Sequence, residues 1–245
     1  MQAEERADLE GFVAGAAAIV AEHADLDRLQ ALAGPLTAAG DAIRRLPPLG
    51  RRLAVARDEA FAFLYPHHLT DWRAQGAEIA FFSPLADEAP AAEADSVFLP
   101  GGYPELHAGR LAAADRFRAG MQAAAARGAR IYGEGGGYMT LGEALVDAEG
   151  AAHRMLGLLP LETSFAERRL TLGYRRLRPL GLFEAELAAR EFLAAHEFHY
   201  ATLRREGAAD RLFEASDAEG AALPAMGLRR GAVSGSFAHV IGRAS

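Results

Sequence analysis

The stretch that constrains this chain most is Ile131-Tyr132-Gly133-Glu134-Gly135-Gly136-Gly137-Tyr138-Met139. A short apolar run breaks into glycine and resumes as a helical pattern, which predicts strand, sharp turn, helix. Such an elbow sets one residue on a strained corner above the carboxyl edge of a sheet. The next backbone N–H groups and a helix N-terminus aim at the same spot. Enzymes that use this turn place a nucleophile at the corner, and here the corner residue is Gly135, which has nothing to attack with. A glycine turn that opens a helix has two other readings, structural punctuation and an anion nest.

The surroundings of the elbow read as an α/β fold. Apolar runs at Leu53–Ala56, Glu78–Phe82, Ser96–Leu99 and Ala129–Tyr132 predict strands, and Tyr65–Gln75, Arg110–Arg127 and 136–145 predict helices between and after them. Strands alternating with helices give a doubly wound, mostly parallel sheet with ligands at the carboxyl ends of its strands. Both glycine-rich turns, 101–102 and 133–137, fall at such ends. Beyond them His153–Pro160, Arg169–Leu177, Glu191–Leu203 and Arg211–Ala215 alternate apolar and polar residues, which predicts an antiparallel extension, and Val233–Ile241 closes it.

Upstream of residue 51 the pattern differs. Residues 3–22 carry Leu9, Phe12, Val13, Ala16, Ile19 and Val20 at helical spacing, and a second short helix follows Asp25 as N-cap and ends at Gly34-Pro35. Residues 36–50, with Pro47-Pro48, read as a linker. The expected division is therefore 1–50, short helices plus linker, and 51–245, the α/β domain. The apolar stripe of the first helix has no evident cover, so it is expected to fold back or to drive self-association as a homodimer.

Composition removes several function classes. The net charge of −7 disfavours a grip on nucleic acid, which relies on excess basic side chains. The sequence has neither Lys nor Asn, so a GxxxxGK[ST] phosphate loop is excluded. With no cysteine there is no disulfide framework, thiolate metal site or catalytic thiol. No stretch approaches about 18 uncharged apolar residues and no secretory leader is evident, so the expectation is a soluble, cytoplasmic chain away from membranes.

A second glycine turn, Pro100-Gly101-Gly102-Tyr103-Pro104-Glu105, ends the strand before the elbow, and its N–H groups are expected to face the same crevice. Two such turns together make an oxyanion hole. A third element is His239 in Ser234-Gly235-Ser236-Phe237-Ala238-His239. His196-Glu197-Phe198-His199 has its imidazoles three apart, whereas the zinc-protease helix needs four; on a strand the two point to opposite faces. No metal is expected there, and structural or substrate-orienting roles are. Neither Ser234 nor Ser236 follows an elbow.

Taken together, Arg52–Arg57, Phe63-Leu64-Tyr65-Pro66, Phe81–Asp87, Leu99–Glu105, Gly133–Met139, Leu172–Arg175, His196–Tyr200 and Gly235–His239 resemble the glutamine amidotransferase domain of cobyrinic or hydrogenobyrinic acid a,c-diamide synthases. The resemblance runs from about residue 51 to the end, and the helices before residue 35 are similar to the tail of that family's ATP-dependent synthetase domain. It implies a type I amidotransferase fold. The family's elbow reads Glu-Cys-Gly-Gly, with the Cys attacking the glutamine side-chain amide and a late His activating it. Carried over, Glu134 is the Glu, Gly135 stands at the Cys position and His239 is the His. Gly102, Tyr103 and Gly136 supply oxyanion-hole N–H groups, with Glu105, His196 and His199 in support. The implied partners are glutamine and a synthetase domain, which brings the corrinoid, ATP and Mg²⁺; this chain itself holds no cofactor. Glutamine hydrolysis is not expected while Gly135 replaces the nucleophile.

Overall fold

The structure, a computed structural model, describes residues 6–35, 45–181 and 191–244. The chain divides into two compact units, residues 1–43 and 44–245. In the first, α1 (Leu9–His23) and α2 (Leu26–Leu32) each begin where an aspartate accepts a backbone N–H of the first turn: Asp8 from Gly11 and Asp25 from Arg28, both at 2.9 Å. The cap at Asp8 starts α1 later than the apolar periodicity suggested, and no α1 residue is buried. The sequence-predicted linker falls partly outside the described residues; Leu46 and Leu49 are buried in the second unit.

The second unit opens with β1 (Arg52–Ala56), α3 (Pro66–Ala74), β2 (Glu78–Phe82) and β3 (Ser96–Leu99). Next come α4 (Ala108–Ala113), α5 (Asp115–Ala126), β4 (Arg130–Glu134) and α6 (Gly136–Leu141). The strands β5 (Ala144–Val146), β6 (Ala152–Arg154), β7 (Leu161–Ser164), β8 (Thr171–Pro179) and β9 (Phe192–His199) follow. The chain then runs through β10 (Thr202–Glu206), β11 (Asp210–Ser216), β12 (Ala222–Arg230), β13 (Val233–Ser236) and β14 (Ala238–Ala244). One mixed ten-stranded sheet has the order β14-β9-β8-β11-β12-β13-β4-β3-β1-β2; a four-stranded sheet has the order β10-β7-β5-β6.

From β13 to β2 all pairs are parallel, and from β12 to β14 all are antiparallel. The inner strands of the parallel part, β1, β3, β4 and β13, are covered on both faces, as their apolar sequences require, while the edge strand β2 is largely exposed. Ala54 and Ala56 of β1, Val97 and Leu99 of β3 and Ile131 of β4 pack with Phe117, Met121 and Leu141 from α5 and α6. The alternate residues Leu53, Val55, Phe98 and Tyr132 pack on the other side with Trp72 of α3 and with Leu193, Leu212 and Phe213 from the antiparallel part. Helices on both faces and the antiparallel extension are as the sequence predicts.

Several boundaries are corrected. The helix expected over 110–127 is broken at Ala114, where Asp87 accepts the Phe117 N–H at 2.9 Å and caps α5 from a loop thirty residues upstream. The elbow helix ends at Leu141 rather than 145. A Cβ on Gly142 would stand 2.6 Å from the Leu161 carbonyl oxygen, and the chain leaves the helix to pair Leu145 with Thr163 as β5. Of 153–160 only the start is strand. The run 233–241 is two strands: β13 pairs with β4 and β12, while β14 crosses to β9 after a corner at Phe237, where Ser236 Oγ accepts the Ala238 N–H.

Candidate functional site

The site sits where β3, β4 and β13 end together. Glu134 is the last residue of β4 and Gly135 turns the corner with φ +48° and ψ −109°, a conformation that opposes any side chain. Its N–H donates to the Ser236 carbonyl at 2.9 Å, and its own carbonyl accepts from Met139 at 3.1 Å. Two residues on, a Cβ on Gly137 would lie 1.9 Å from the Leu99 carbonyl oxygen, so only glycine lets α6 rest against the end of β3. The Gly137 N–H donates to the Pro100 carbonyl at 3.1 Å and ties the two glycine turns together.

That tie brings the predicted residues to one place. The Gly102 nitrogen is 3.1 Å from where a Cβ on Gly136 would stand, and Pro104 packs at 2.7 Å from the same point. Tyr103 follows in the turn that leads into the 3-10 turn Pro104–His107, with its ring edge-on to Phe63 at 5.0 Å. The N–H groups of Gly135 and Gly137 are committed to carbonyls, and α6 is only six residues long, so an anion nest over 133–137 finds no support.

His239, on β14, closes the site from the antiparallel part. Its Nε2 lies 2.6 Å from the position a Cβ on Gly135 would take, so the imidazole fills the space of the absent side chain. The ring is buried, which together with His196 and His199 nearby pulls its pKa down to about 4 and keeps it neutral near pH 7. Its Nδ1 is buried without a hydrogen-bond partner among the described residues and stands 3.9 Å from Glu134 Oε2. The other oxygen of Glu134 accepts the Val240 N–H at 3.0 Å. Burial pushes the Glu134 carboxyl up to about 8, against the Val240 and Tyr132 hydrogen bonds that pull it down.

The two histidines of β9 part company, as alternation on a strand requires. His196 pairs across the ladder with His239 and stacks on it at 5.0 Å and 8°, and its Nε2 is 2.5 Å from the Tyr65 hydroxyl. Burial lowers its pKa. His199 stacks on Phe237 at 3.9 Å and holds Glu197 at 3.0 Å, while Arg175 Nε donates to the other Glu197 oxygen at 2.9 Å. Burial alone would raise the Glu197 carboxyl, but His199 and Arg175 together hold it below its ordinary value. Glu105 lies in the 3-10 turn beside the second glycine turn; burial raises its pKa to about 7, and its Oε2 has no hydrogen-bond partner among the described residues.

Tyr65 and Arg175 join the site without having been singled out by pattern, and Glu197 joins it from within the His196–His199 motif. Tyr65 lies within Phe63-Leu64-Tyr65-Pro66 and Arg175 ends Leu172–Arg175, both motifs of the resemblance, but their partners are on strands more than twenty residues away. Chemically, the arrangement holds a neutral imidazole over an elbow, with the two glycine turns packed together beside it. A nucleophile placed at the corner would have a base at contact distance.

Comparisons with known proteins agree with this geometry. Residues 52–245 match the family of CobB/CobQ-like glutamine amidotransferase domains. Proteins named hydrogenobyrinate a,c-diamide synthase are similar over nearly the whole chain. The one from a Sinorhizobium species is 60% identical over 98% of this chain and 55% of its own length, and the one from Mesorhizobium japonicum is 50% identical over 100% and 56%. This chain thus spans about half the length of these relatives. Among solved structures, PurLQS from Thermotoga maritima aligns at a TM-score of 0.52 and 17% identity, over 77% of this chain and 86% of that one, which speaks for the fold alone. With the family model covering β1 to the end of β14, the chain belongs to the CobB/CobQ-like glutamine amidotransferase domain family.

Proposed function

We propose that this chain is the glutamine-binding, ammonia-producing part of a hydrogenobyrinate or cobyrinate a,c-diamide synthase in cobalamin biosynthesis, with its hydrolytic step disabled at Gly135. The observation that carries the reading is the corner itself: φ +48° at Gly135 with His239 Nε2 2.6 Å from the missing Cβ. A base is aimed at an empty nucleophile position. The relatives' name favours hydrogenobyrinate over cobyrinate.

In this reading the glutamine side-chain amide sits against Gly135, with its carbonyl toward the N–H groups of Gly102, Tyr103 and Gly136. Those donors favour the charge that develops on the oxygen during attack. His239 would take a proton from a nucleophile at the corner and return it to the leaving ammonia. Without a nucleophile the sequence stops at binding. Amidation of the corrin a and c carboxylates, with its ATP and Mg²⁺, belongs to the synthetase part of the relatives, which docks with this domain in the cytoplasm and takes up the ammonia.

The test uses glutamine. Calorimetry is expected to show glutamine binding, while an ammonia assay shows no release above background. Gly135→Cys is expected to gain glutamine turnover once His239 yields the space its Cβ needs, and to lose about 1–3 kcal/mol of stability to the positive φ. Ammonia release by the unaltered chain, or a folded Gly135→Cys form that neither binds nor hydrolyses glutamine, would overturn the proposal.

A further inference from the structure

One carboxyl touches both the backbone beside the base and the base itself. Glu134 Oε1 accepts the Val240 N–H, one residue after His239, at 3.0 Å; Glu134 Oε2 faces His239 Nδ1 at 3.9 Å. The two ring nitrogens are thereby distinguished. Nε2 points to the nucleophile position, and Nδ1 is the buried atom that lacks a partner among the described residues. Both side chains are nearly sealed, His239 at 5% and Glu134 at 4% exposure, so no bulk water satisfies that nitrogen. A separation of 3.9 Å is longer than a hydrogen bond. Such contacts are commonly long before substrate binds.

We propose that Glu134 is the positioning residue for His239: its Oε2 accepts the Nδ1–H and so fixes the tautomer that leaves the Nε2 lone pair facing position 135. The inference rests on the glutaminase reading only for its purpose; the pairing itself is a property of this chain. Glu134 reaches this place because it is the last strand residue before the elbow, so the turn that sets the nucleophile position also sets the group that orients the base. The other groups facing the pair are Tyr132 from β4, Tyr65 from the segment before α3, and His196 and His199 from β9. The Tyr132 hydroxyl beside the Glu134 carboxyl favours its charged form, whereas burial raises its pKa to about 8. The carboxylate that can accept from Nδ1 therefore forms as pH rises through that range.

The experiment reads the tautomer directly, by long-range ¹H–¹⁵N correlation on the full chain labelled at histidine, with His239→Gln to identify the signal. At about pH 9 the expected state is Nδ1–H with bare Nε2. Glu134→Gln keeps an oxygen for the Val240 N–H but turns a donor toward Nδ1, so the proton should move completely to Nε2. The same tautomer in both forms would overturn the proposal. Should Glu134→Gln not fold, Tyr132→Phe decides: removing that hydroxyl should shift the pH at which the tautomer changes upward, and an unmoved midpoint counts against Glu134. If the tautomer swaps as expected while Gly135→Cys stays inert to glutamine, the pairing stands and the glutaminase reading falls.

Discussion

The parallel and antiparallel parts of the ten-stranded sheet divide the work unequally. The parallel part, β2-β1-β3-β4-β13, is buried on both faces from β1 to β13 and ends in backbone: two glycine turns tied to each other at separations no side chain fits between. The antiparallel part is open on one face, with Leu172 at 65% and Tyr174 at 70% exposure, and it supplies the rings: His239, His196 and His199. A rigid frame sets the corner at Gly135, and a more accessible flank brings the imidazole that fills the space beside it.

That contrast is broken most severely by a single methyl group. Gly137→Ala would put a Cβ 1.9 Å from the Leu99 carbonyl oxygen, and neither β3 nor α6 can retreat without opening the core around Leu99, Ile131 and Leu141. The expected loss is about 4 kcal/mol or more, beyond ordinary overpacking. Gly242→Ala on β14 meets nothing within 4 Å and is expected to be neutral or to stabilise by about 0.4–1 kcal/mol through the unfolded chain. Denaturant midpoints on both variants check this. Equal losses would mean that the antiparallel part is as tightly framed as the parallel one.

The same division explains what was legible in the sequence. β1, β2 and β3 are short apolar runs between turn residues, and the elbow announces itself through Gly133, Gly135, Gly136 and Gly137, because close backbone approach leaves a compositional mark. The break at Ala114 left none, since its cap is the carboxylate of Asp87 from another loop. Likewise the alternation around His196 and His199 gives a strand but not its neighbours. That His196 stacks on His239, and that Tyr65 bonds it, follows from β14 pairing with β9, a crossover that local pattern does not encode. The resemblance named His239 as the base; its occupation of the Gly135 side-chain space came only from the fold.

Burial gives the two parts opposite pH limits. Glu105, at the parallel part's glycine turn, has an ordinary pKa of 4.5 and titrates at about 7 when folded, so the folded state keeps a proton that the unfolded chain has lost. Its contribution is present below about pH 4.5 and is lost as pH rises through 7. His239, with an ordinary value of 6.5 and a folded value of about 4, works the other way: its contribution is present above 6.5 and is lost as pH falls through 4. Glu105→Gln should therefore gain about 1–3 kcal/mol at about pH 8.5 and much less at pH 5, seen as several degrees in the thermal midpoint. His239→Gln should flatten the acid limb instead. If each variant shifted both limbs alike, the charges would be acting through the whole molecule rather than through their own burial.

The smallest effect belongs to the open face. On β8, Leu172 and Tyr174 share one face of the strand, and Leu172 pairs across with Phe198, itself 42% exposed; Leu177 lies on the other face and is fully buried. Side chains that leave water on only part of their surface contribute little when removed, so Tyr174→Ser should change stability by no more than about 0.5 kcal/mol. Leu177→Ala, a buried truncation on the same strand, should cost about 2–5 kcal/mol. Thermal melts at two protein concentrations compare them. A loss for Tyr174→Ser approaching that of Leu177→Ala, and growing with concentration, would mean that the face is covered by a second copy of the chain in solution. The antiparallel part would then be framed by assembly, where the parallel part is framed by its own helices.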